Sequence, residues 1–84
     1  MKKMLTLSES IYDSRKVIME TITRLNDESF SLMTQRKQKI EENPRYLETE
    51  EYGQSISASY RIIRTMKDLQ DAYDTLGNIL RSIK

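Results

Sequence analysis

The sequence predicts an all-α protein, an antiparallel helical hairpin of two long amphipathic helices with coiled-coil-like packing. Three observations predict it. Apolar residues recur at alternating spacings of three and four over long stretches, the period of a helix face and not of a strand. The only proline, Pro44, falls near the middle of the chain, with one long periodic stretch on either side. The composition is 37% hydrophobic and 32% charged with only two glycines, so the turn residues that a sheet of short strands needs are missing. At 84 residues the chain is read as one domain, 1–84.

The first helix is expected over about 7–42. Thr6 is followed three residues later by Glu9, the spacing of a capping box, in which a hydroxyl holds a free amide of the first turn. Ile11, Ile18, Leu25 and Leu32 then sit seven apart along one side of a stripe, joined by Ile22, Met33 and Ile40. Arg15, Ser29 and Arg36 fall at companion positions where a strict seam calls for aliphatic side chains. Lys37 and Lys39 lie in the last turns, where cations suit the helix dipole.

A turn is expected over about 43–48. The residue before a proline avoids the helical region, so Asn43-Pro44 ends the first helix near Glu42. Two starts for the next helix are open. Asn43 can cap a helix whose first residue is Pro44, and Thr49 can cap one that opens on Glu50 and Glu51.

The second helix, over about 49–83, carries the most regular pattern in the chain. Ile62, Met66, Leu69, Tyr73, Leu76, Leu80 and Ile83 alternate spacings of four and three. Ile56, Tyr60 and Ile63 widen the face, and Gly77 beside it leaves room for close approach of another helix. One opposing helix of similar width cannot cover Tyr60, Ile63, Tyr73 and Leu80 together. The surplus assigns a partner-binding face to Tyr60, Ile62, Ile63, Met66, Leu69, Tyr73, Leu76 and Leu80. A second copy is one candidate occupant. Tyrosine is favoured on such faces, and it also packs on ordinary amphipathic helices with its hydroxyl in water. Met4, Met19, Met33 and Met66 are expected to fill gaps in the core.

Chemistry is poorly supplied. With no His and no Cys, the commonest metal ligands and general acid–base groups are missing, and no calcium-loop pattern replaces them. Glu41-Glu42 and Glu50-Glu51 read as solvated charge near helix ends rather than as catalytic pairs held in a pocket. No enzyme activity, metal or cofactor is therefore expected. Arg61, Arg64 and Lys67 near Tyr60 could face phosphates, but Asp68, Asp71 and Asp74 follow at once, and the formal net charge is +1. A solvated mixed-charge face is the expected reading, with no nucleic-acid partner. The longest apolar run is Val17-Ile18-Met19, so no membrane span is expected. The basic start before Leu5 lacks the apolar core of a secretory signal, which makes the cytoplasm the expected location.

The stretch Leu7–Leu25, with Ser14-Arg15 and the apolar spacing through Ile22 and Leu25, resembles the first helix of the small YscE/EscE/SsaE-type proteins of bacterial type III secretion. Asn43-Pro44 with Tyr46 is similar to the Asp-Pro-x-x-Tyr turn of that family, with Asn for Asp and the tyrosine one position early. Ile56, Tyr60, Ile62, Ile63 and Met66 follow its second helix, which here continues well past Met66. The resemblance implies a cytoplasmic helical hairpin acting as a co-chaperone. Its partner would be a chaperone built of helical repeats, and together they would keep a needle-type subunit soluble. Ile62-Ile63-Arg64-Thr65-Met66-Lys67-Asp68-Leu69 also looks like the last helix of needle subunits, although fifteen residues follow Leu69. A needle-like structural subunit, or an unrelated homodimeric helical-hairpin regulator, is thus the alternative expectation.

Overall fold

A threonine hydroxyl opens the first element. In the computed structural model, which describes residues 6–83, helix α1 spans Leu7–Glu42 and Thr6 Oγ1 accepts the Glu9 amide at 3.1 Å. That is the hydroxyl half of the expected capping box. Met4 and the basic start of the chain lie outside the described residues.

Helix α1 stops where proline chemistry requires. Asn43 is extended (φ −151°, ψ 101°), and its amide still donates to the Lys39 carbonyl at 2.9 Å. Both candidate starts are then used. The Asn43 side-chain oxygen accepts the Arg45 amide at 3.1 Å and opens a short 3₁₀ helix, Pro44–Glu48. Thr49 Oγ1 accepts the Tyr52 amide at 3.2 Å and opens α2, Glu50–Ser82. The same hydroxyl donates to the Tyr46 carbonyl at 2.7 Å, so one side chain closes the 3₁₀ turn and starts the next helix.

Tyr46 anchors this corner and is 7% exposed. The Tyr52 ring meets it edge-on, with centroids 5.7 Å apart, and Lys39 Nζ lies 5.4 Å from its ring centre. Lys39 also pairs with the Glu51 carboxylate across the turn. The hydrogen bond to Glu51 raises the Lys39 pKa, against desolvation. A raised lysine pKa means that the pair's contribution is present at neutral pH and is lost only as pH climbs through the lysine range. Both side chains are exposed, so the pair is a weak tether.

The helices run antiparallel, in an envelope of 59 × 28 × 16 Å. Two long-range contacts fix the register: Arg15 reaches Tyr73, and Arg36 reaches Ser55 and Ser59. That register lays the α1 stripe along the α2 seam. Ile11 and Leu80 are buried, and Ile18, Ile22, Leu25, Leu32, Ile62, Met66, Leu69, Tyr73 and Leu76 are half-buried. Among the described residues no helix is long and apolar enough to cross a membrane.

The misfit positions of α1 are matched on α2 by small residues. Arg36 Nη1 donates to Ser59 Oγ at 2.7 Å, to Ser55 Oγ at 3.0 Å and to the Ser55 carbonyl at 3.2 Å. Arg15 Nε donates to the Tyr73 carbonyl at 3.2 Å, and its guanidinium sits 3.9 Å from the Tyr73 ring centre. Gly77 makes room for it: a Cβ added there would lie 2.9 Å from Arg15 Nη2 and 3.2 Å from Arg15 Cζ. The close approach expected at Gly77 is therefore that of an arginine side chain. Two methionines expected in the core do not lie there. Met19 and Met33 are 40% and 53% exposed, because they sit one position outside the seam, while Met66 on the seam is half-buried.

Candidate interaction surface

A two-helix ribbon has a seam, two broad sides and two outer edges. The seam holds six of the eight residues assigned to partner binding. Leu80 is buried, and Ile62, Met66, Leu69, Tyr73 and Leu76 are half-buried toward α1. The remaining two point away, Tyr60 at 70% and Ile63 at 56% exposure. Of the four residues judged too many for one opposing helix, two are thus taken up within the hairpin. Leu80 packs inside, and Tyr73 lies under the Arg15 guanidinium.

The helical period explains the split. Ile63 follows the seam residue Ile62 by one position, and Tyr60 lies three before Ile63, so both turn to one broad side. There Arg36, Ile56, Ser59, Tyr60 and Ile63 line a shallow groove beside the seam. Met33 occupies the equivalent flanking position on α1, with Phe30 one turn before it, and they are 53% and 64% exposed. The antiparallel register brings this part of α1 alongside Ile56–Ile63, so the apolar flanks of both helices share one side. The opposite broad side is polar near the turn, with Gln35, Lys39, Glu51, Gln54 and Ser55 around a second depression.

Sequence reasoning did not find Phe30 or Met33 as surface residues. The signal was present: a seam repeating every seven residues makes any apolar residue off the seam a candidate for outside contact.

The electrostatics are uneven along α2. Tyr60 and Ile63 share a depression with Arg61, Arg64 and Lys67, and no acidic residue lines it. All three cations are exposed, and the one salt bridge among the described residues is Lys39–Glu51. The next turns carry Asp68, Asp71 and Asp74, also exposed. No group of three or more His, Cys, Asp or Glu among the described residues is placed to hold a metal. The described surface offers apolar contact and charge.

Comparison with family models, with curated proteins and with solved structures gives no significant match.

Proposed function

We propose that this chain is a helix-binding adaptor, and that its docking surface is the broad side carrying Tyr60 and Ile63. The observation that supports the reading is their exposure on a helix whose other large apolar residues mostly turn inward. Aromatic residues beside arginine are the commonest energetic anchors of protein interfaces. The groove beside the seam suits an amphipathic helix laid along it, because apolar positions at helical spacing can reach Ile56, Tyr60 and Ile63 in turn. The resemblance to the YscE/EscE/SsaE-type proteins gives this activity its biological form: a cytoplasmic co-chaperone that joins a helical-repeat chaperone and keeps a needle-type subunit from polymerising.

Co-expression with a helical-repeat chaperone and a needle-type subunit tests it. The expected result is a soluble complex that Tyr60→Ser/Ile63→Ser disrupts while the hairpin stays helical. A well-folded hairpin that joins neither protein would reject the co-chaperone assignment. Filaments of the isolated chain in electron micrographs would favour the needle-like alternative instead.

A further inference from the structure

The outer edge of α2, opposite the seam, carries a charge pattern with a centre of symmetry. Arg61, Arg64 and Lys67 are spaced by three, and Asp68, Asp71 and Asp74 repeat that spacing with the opposite sign. About the midpoint between Lys67 and Asp68, each cation has an anion at the same distance: Lys67 with Asp68, Arg64 with Asp71, Arg61 with Asp74. All six side chains are exposed. Arg64 and Asp71 are a whole number of seven-residue repeats apart, so they share one line on the helix, with the other four on either side of it. The α1 helix lies against the far side of α2 and leaves this edge open.

Pairing within the helix does not account for the pattern. Arg64 with Asp68 and Lys67 with Asp71 are four apart, but the cation comes first, which is the weaker order for such pairs. Among the described residues none of the six has a salt-bridge partner, and only Asp74 has a side-chain hydrogen-bond partner, the Gln70 amide at 3.2 Å.

We propose that α2 pairs edge to edge with α2 of a second copy, antiparallel, about a two-fold axis between Lys67 and Asp68. Arg64 of each copy then faces Asp71 of the other, with Arg61 and the other copy's Asp68 along one flank of the contact and Lys67 and the other copy's Asp74 along the other. A two-fold interface uses the same patch on both subunits, so it requires self-complementary charge, and this pattern supplies it twice over. An in-register parallel pairing would set cations against cations, and a parallel pairing shifted by seven would match the charges but not close into a two-fold dimer. Exposed ion pairs are individually weak, so the charges bias direction and register rather than supply much affinity. The dimer leaves Ile63, Met33 and Phe30 on the broad side, and it does not rest on the adaptor reading.

Sedimentation equilibrium tests the pairing. The full chain at low salt is expected at twice its protomer mass, moving toward the protomer as salt rises. Two triple variants separate the signs: Arg61→Asp/Arg64→Asp/Lys67→Asp and Asp68→Lys/Asp71→Lys/Asp74→Lys. Each alone is expected to self-associate at least about tenfold more weakly, and an equimolar mixture should recover a dimer with one copy of each. Circular dichroism checks that helicity is kept. If a triple variant loses helicity, the single reversals Arg64→Asp and Asp71→Arg are mixed in the same way. A wild-type protomer at every concentration would overturn the proposal. So would variants that dimerise as well alone as wild type, or a mixture no tighter than its components.

Discussion

An arginine on the seam of a helical hairpin is held only where the facing helix leaves room for it and supplies acceptors. Arg36 meets both conditions through Ser55 and Ser59, and Ser59 is only 8% exposed. Truncating Arg36 leaves those hydroxyls without their donor in a partly dry place. Arg36→Ala is therefore expected to cost about 1–3 kcal/mol in urea unfolding, and Arg36→Leu/Ser55→Ala/Ser59→Ala to recover most of it. A triple variant as unstable as the single one would show that the stranded serine hydroxyls are not the source of the loss. Gly77 and Arg15 give a second residue-scale prediction. Alanine at position 77 gains roughly 1 kcal/mol of helix propensity, but its Cβ needs the space of the Arg15 guanidinium, at 2.9 Å from Nη2. Gly77→Ala should be nearly neutral in the wild type and stabilising by about 1 kcal/mol once Arg15→Ala has emptied the space. Additive effects in that double-mutant cycle would refute the coupling. Sequence reading marked Arg15, Ser29 and Arg36 as poor seam residues and Gly77 as a gap. It could not pair them, because the match depends on antiparallel register, and one stripe alone does not carry that.

At the scale of elements the boundaries were legible because they rest on local chemistry. Thr6, Asn43-Pro44 and Thr49 each act through atoms within three or four residues, which is the range a sequence displays directly. The choice between Asn43 and Thr49 was not legible, since both make sound caps. The structure uses them in succession because a 3₁₀ turn fits between them. The two threonine caps then differ in consequence. Thr6 caps an exposed helix start, whereas Thr49 also closes the turn by donating to the carbonyl of buried Tyr46. Thr49→Ala is expected to cost about 1–2 kcal/mol and Thr6→Ala less than about 1 kcal/mol. For a domain of this size, 1 kcal/mol corresponds to roughly 4–8 °C in Tm, so thermal unfolding resolves the difference. Equal losses at both caps would mean that the corner opens as readily as the helix start.

For the whole molecule, the deciding fact is how few side chains the hairpin covers by itself. Among the described residues only Ile11, Tyr46 and Leu80 form a buried apolar core, and no large side chain is fully enclosed. A ribbon two helices wide gives each seam residue one neighbour helix and open solvent on either flank, so half-burial is its natural limit. That limit separates two kinds of apolar residue that looked alike in the sequence. Leu69 is half-buried on the seam and stabilises the hairpin, whereas Ile63 is 56% exposed and stabilises almost nothing within it. Leu69→Ala is expected to cost about 1–3 kcal/mol, less than a fully buried leucine, and Ile63→Ser to stay within about 0.5 kcal/mol of wild type in urea unfolding. Capture of a helical partner should show the reverse for Ile63→Ser: strong loss of binding at unchanged stability. Because a bound partner stabilises only the folded hairpin, its addition should raise the Tm of wild type and leave that of Ile63→Ser unmoved. An equal rise in both proteins would take the docking surface away from this side of α2.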